Sequence, residues 1–179
     1  MPRRKPAATA AEAGATAPAT PVAVAREAPP AGPWHAPRAL LDVNVWIALL
    51  DDAHQFSEPA NAFIDDPSTC IATCPLVENG VIRVLSMPSY SRGGGVPMGT
   101  VRARLQLACR SLDHTFWPDD VSLRDDTLVD FSRVQGHQQV TDLYLLALAV
   151  HHGGRLVTFD RSVALSSVRG ATSQHLLVL

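Results

Sequence analysis

VTDLYLLALAVHHGGRLVTFD, residues 140–160, is the stretch whose reading decides the fold. Its apolar run LYLLALAV (143–150) is preceded by Thr141 and Asp142, and Gly153 and Gly154 close it before the apolar RLVTF of 155–159. Thr141 reads as the cap, and the glycine pair as the stop, of a helix over 142–152. A helix that is apolar on most sides is a buried one. A strand entered from such a helix, rather than from a two-residue hairpin, is half of a parallel crossover. The run falls well short of the roughly 20 residues needed to cross a membrane, and no longer one exists in the chain.

Upstream the same alternation recurs. Residues 39–42 (ALLD) read as a buried strand, followed by a helix over 45–50 for which Asn44 is the natural N-cap. A helix over 54–64 ends at Asp65, Asp66 and Pro67, and 69–73 is a short strand. Pro75 opens a helix to about Leu85, since proline is tolerated in a first turn. Ser91, Arg92 and the glycines 93–95 form a connecting loop, then come a helix over 99–112, a strand over 114–117, a helix over 123–134 and a last strand over 175–178. Strands separated by helices predict an α/β fold: a three-layer α/β/α sandwich with a mainly parallel central sheet over residues 39–179. Residues 1–38 contain thirteen alanines and eight of the fourteen prolines, so they are expected to form a disordered tail. Basic residues lead that tail, but no clean apolar stretch comes after them as a secretory signal requires.

The chain has 179 residues, 46% apolar and 18% charged, which suits one globular domain plus the tail. Its net charge of −2 is unevenly distributed: the tail is basic, with five Lys/Arg against two Glu, and the remainder is acidic, with ten Arg against fifteen Asp/Glu. A protein that binds nucleic acid mainly by phosphate neutralisation normally carries a basic surplus, so any such activity of the folded part needs another reason for its acidity. Lys5 is the only lysine, so lysine-dependent chemistry is excluded. Three cysteines, Cys70, Cys74 and Cys109, make neither a disulfide framework nor a four-thiolate zinc site, and a reducing cytoplasmic setting fits them.

In an open parallel sheet, ligands bind beyond the carboxyl ends of the strands. Asp42 and Asp160 end two strands there, and Glu78 and Asp142 occupy first turns of helices at the same edge. Taken singly, such acids cap helices or complement their dipoles. Gathered together they repel and need a cation, and hard oxygen donors suit Mg²⁺ or Mn²⁺, which polarise phosphoryl oxygens and activate water.

LLDVNVWIAL (40–49), PLVENGVIRVL (75–85) and the 140–160 stretch together resemble the acidic motifs of PIN-domain proteins, in particular the VapC-type toxins of toxin–antitoxin pairs. The resemblance implies a Mg²⁺- or Mn²⁺-dependent endoribonuclease whose catalytic, metal-binding pocket is Asp42, Glu78, Asp142 and Asp160. It implies products with 5′-phosphate and 3′-hydroxyl ends. It also places Asn44 beside Asp42 or the substrate, and Thr158 in a hydrogen bond to a carboxylate, roles that coexist with those of a helix cap and a β-branched strand residue. Arg161, Ser162 and Val163 stand where relatives often carry a further acid. RNA, a cognate antitoxin offering a basic side chain to the pocket, and a second copy of the chain are the implied partners. Arg92 and Arg102 are candidate substrate contacts, and Trp46, Trp117 and Tyr144 candidate stacking residues, although surface charge is the readier account of the arginines and core packing that of the aromatic residues. His151 and His152 read as cations favoured in a last helical turn. A phosphatase or receiver domain would need a lysine near the phosphoryl group. The remaining alternative is a PIN-like module that binds metal and partners without turnover.

Overall fold

Short apolar segments separated by amphipathic helices leave each strand only three or four residues long. In the computed structural model, which describes residues 37–90 and 95–179, they run β1 (Ala39–Leu41), β2 (Cys70–Thr73), β3 (Asp113–Phe116), β4 (Arg155–Thr158) and β5 (Leu176–Val178). The helices are α1 (Val43–Leu50), α2 (Ser57–Ile64), α3 (Pro75–Leu85), α4 (Met98–Ser111) and α5 (Val140–His151). The expected tail, save its last two residues, and Arg92 lie outside the described residues.

All strand pairs are parallel, in the order β3-β2-β1-β4-β5. The chain winds from β1 outward to β3, then crosses back to β4 on the other side of β1. Right-handed crossovers therefore put α1 to α4 on one face and α5 on the other, giving the three-layer sandwich. Helix α5 buries Leu143 and every residue from Leu145 to Ala149, packing on β4 and β1. Trp46, Leu40, Leu41, Ile71 and Leu156 are fully buried between the layers, and Trp117 is nearly so, which assigns both tryptophans to packing rather than to stacking on a ligand. Among the described residues, no helix is long and apolar enough to cross a membrane.

Three local expectations are corrected. No α-helix forms over 123–134; residues Phe131–Arg133 make one 3₁₀ turn, and Val129 bridges to Val168. The cause is local competition: Asp125 accepts the Thr127 N–H at 2.9 Å and Asp130 accepts that of Ser132 at 3.2 Å, satisfying the backbone without a helix. Helix α1 is capped by Asp42, whose carboxylate accepts the Val43 N–H at 2.6 Å, so Asn44 lies inside the first turn. Helix α5 begins at Val140, directly after the 3₁₀ turn His137–Gln139, which leaves Thr141 inside it rather than capping it.

The α5–β4 junction is tight. Gly153 has φ of 65°, ending the helix. A Cβ on Gly154 would lie 2.5 Å from the Arg38 carbonyl oxygen and 2.5 Å from Trp117 Cη2. That carbonyl cannot retreat freely, because it accepts the Arg155 N–H at 2.9 Å. Gly154→Ala is thus expected to cost about 1–3 kcal/mol, measured as a lower urea midpoint.

Candidate active site

The sheet order reverses between β1 and β4, and a doubly wound sheet opens a crevice at that point. The sequence supplies polar residues there: among the described residues the buried polar side chains are Asp42, Thr73, Thr158 and Ser167, and the first three stand at the carboxyl ends of strands. A cleft of about 370 Å³ lies beyond them, lined in part by Asp42, Asn44, Asn79, Arg83, Asp142 and Asp160. A recess of about 430 Å³ shares Asp142 and Asp160 and continues along Gln135, Gly136, His137, Gln138 and Gln139.

The carboxylates are held by a short relay. Thr158 Oγ1 donates to Asp42 Oδ2 at 3.1 Å and accepts the Asp160 backbone N–H at 3.0 Å, so one hydroxyl fixes the Asp42 carboxylate and the main chain of Asp160. Asp160 also accepts the Ser162 N–H at 2.7 Å, which turns the chain away from β4. Asp142 projects from the first turn of α5. Burial raises the Asp42 carboxyl above its ordinary value; bonds from Thr158 and Val43 oppose this, and the charge of Asp160 adds to it. Burial, then the charges of Asp42 and Asp160, push Asp142 up to about 6. Two of the three acids are thus held above their ordinary proton affinity by burial and by neighbouring negative charge, which makes the site short of positive charge.

Glu78 does not join them. Its Oε1 accepts a hydrogen bond from Thr73 Oγ1 at 2.8 Å, and Thr73 in turn contacts His114 Nε2 at 2.8 Å. Side chains alternate along strands, so the register places Thr73 and His114 on one face of the sheet and Asp42 and Thr158 on the other. The helical period has the same effect within α3: Leu76, Asn79, Gly80 and Arg83 line the cleft, and Glu78 is about 100° around from Asn79. Glu78 faces His114 and Cys109 instead; burial, and secondarily Glu78, raise the Cys109 thiol to about 11.

The cations differ from expectation as well. Arg102 is exposed on α4 and does not line the cleft; Arg83 does. Its signal is present in the sequence, since it falls seven residues after Leu76 on the same stripe of α3. The cleft's donors are carboxylates, amides and a hydroxyl, with no thiol or imidazole among its lining residues. That hard-oxygen set fits Mg²⁺ or Mn²⁺ rather than a thiophilic metal.

An all-parallel three-layer sandwich with acids gathered at its switch point defines an α/β protein with a pocket suited to a hard cation, and comparison with known proteins gives its family. The PIN domain family profile matches residues 39–169. Ribonuclease VapC44 of Mycobacterium tuberculosis (strain ATCC 25618 / H37Rv) is 47% identical over 145 residues, covering 79% of this chain and 99% of that protein. Ribonuclease VapC39 of the same strain is 41% identical over 133 residues, covering 74% and 95%, and Ribonuclease VapC38 is 41% identical over 145 residues, covering 79% and 99%. The chain belongs to the PIN-domain family, among its VapC-type members.

Proposed function

We propose that residues 39–179 form a Mg²⁺- or Mn²⁺-dependent endoribonuclease, the toxin of a toxin–antitoxin pair acting in the cytoplasm, with residues 1–38 as an appended tail. The observation that carries this reading is the convergence of Asp42, Asp142 and Asp160 in an open cleft at the switch point. These three acids are the metal ligands in this reading, with Asn44 beside them, and Glu78 acts outside the first set of contacts. The ion, when bound, supplies the positive charge that stabilises a phosphoryl group under attack and lowers the pKa of water. The Asp42 carboxylate is held ready by Thr158 and that of Asp160 by the Ser162 N–H, so little rearrangement accompanies binding. Arg83 grips a phosphate flanking the scissile bond, and the adjoining recess along 135–139 gives the strand a path across the acids. By analogy with the family, the products carry 5′-phosphate and 3′-hydroxyl ends.

The acidity of the cleft also suits an antitoxin that inserts a basic side chain, and the family's pairing with such partners and with a second copy supports both as partners here. The test is incubation of total cellular RNA with the purified full chain plus Mg²⁺, Mn²⁺ or chelator. Discrete cuts that need the ion are expected; intact RNA under all conditions, with the ion still bound, would replace this reading with a non-catalytic module. Arg83→Ala is expected to weaken RNA binding about tenfold, as loss of one phosphate contact does, with Mg²⁺ affinity unchanged. Filter binding with a catalytically silent background measures it.

A further inference from the structure

A second group of ligating side chains lies at the opposite end of α5 from the acidic cleft. His151 and His152 end the helix, about 14 Å from Asp142 at 1.5 Å per residue. The loop after β3 brings Asp120 to them: His152 Nε2 lies 3.0 Å from Asp120 Oδ1, and His151 Nε2 3.7 Å from Oδ2. One donor atom from each of the three residues fits within a span of 4.8 Å. The two imidazoles are perpendicular, with centroids 5.2 Å apart, so their nitrogens approach the carboxylate from different directions. His152 is further fixed by stacking on Trp117 at 4.6 Å and 11°.

We propose that Asp120, His151 and His152 bind a borderline transition-metal cation, Zn²⁺ in the first instance. Two imidazole nitrogens and one carboxylate oxygen are the donor types Zn²⁺ takes, whereas Mg²⁺ selects oxygen alone. The ion lies between His152 Nε2 and Asp120 Oδ1, in place of the hydrogen bond that joins them. The last carbonyls of α5 carry partial negative charge, which favours a cation at this end. All three side chains are partly exposed, leaving the remaining coordination positions to water or to a ligand from a partner.

The test uses the full chain without a histidine tag, titrated with Zn²⁺ against a chromophoric chelator. One equivalent is expected to bind at micromolar concentration. Asp120→Asn and His151→Gln are expected to weaken binding by about tenfold or more, and Asp142→Asn to leave it unchanged. Excess Mg²⁺ should not displace the Zn²⁺. Urea midpoints without Zn²⁺ establish that the variants fold; saturating Zn²⁺ should raise the midpoint of the wild type and not of the variants. In the wild type alone, Co²⁺ should develop the visible absorption of a site with nitrogen ligands. Absence of binding below millimolar Zn²⁺, or equal binding by wild type and both variants, overturns the proposal.

Discussion

Asp42→Asn is expected to lower RNA cleavage by roughly a thousandfold, the scale set by removing a principal charge-stabilising group from a site. Asp42 is the natural centre of the cleft: it is 5% exposed, comes directly after the central strand β1, and receives both the Val43 N–H and the Thr158 hydroxyl. An asparagine has the same shape and can keep one of these bonds, but it presents half the oxygens and no charge. Folding should survive, because the substitution removes a carboxylate whose burial is unfavourable in the metal-free protein. Single-turnover cleavage at saturating Mg²⁺, paired with a urea melt, separates the two effects. A loss of only a few fold in a well-folded variant would refute the central place given to Asp42.

Much of this arrangement is legible in the sequence, and the misses share a physical cause. Asp42 and Asp160 are visible because the end of a buried strand fixes both the position and the approximate direction of the next residue. Glu78 is not, since membership of a first turn gives height along a helix and not azimuth. That azimuth depends on where α3 starts and on which sheet face Thr73 takes. Arg83 lies on the same helix at the right azimuth, and a stripe anchored on Leu76 reaches it, whereas the clustering of arginines on α4 points to Arg102. The failed helix over 123–134 shows local chemistry prevailing over apolar spacing: Asp125 and Asp130 hold their own neighbours' N–H groups. Asp120 with His151 and His152 has no sequence signal at all, because the pairing crosses about thirty residues through the stacking of Trp117 on His152.

The metal-free protein is expected to carry a carboxylate penalty at neutral pH that Mg²⁺ removes. Asp142 has a folded-state pKa of about 6 against an ordinary value of 3.8, so between those values the native chain holds a proton that the unfolded chain has released. Stability from this group is therefore complete below about pH 4 and is lost as pH rises through 6. Two pK units correspond to nearly 3 kcal/mol, and partial exposure of Asp142 reduces this to about 1–2 kcal/mol. Asp42 is raised as well and acts in the same direction. His114 opposes both, because burial lowers its pKa and favours the folded state as pH rises. Asp142→Asn supplies the reference that cancels His114: wild type minus variant isolates the carboxylate. Urea unfolding at about pH 5 and pH 7.5, with chelator, should show the wild type losing stability relative to the variant as pH rises. Saturating Mg²⁺ selects the ionised acids, so it should restore more stability at the higher pH, and little to Asp142→Asn at either. A difference between wild type and variant that stays flat across this range would mean that Asp142 titrates as an ordinary surface acid and that the three carboxylates do not share one electrostatic site.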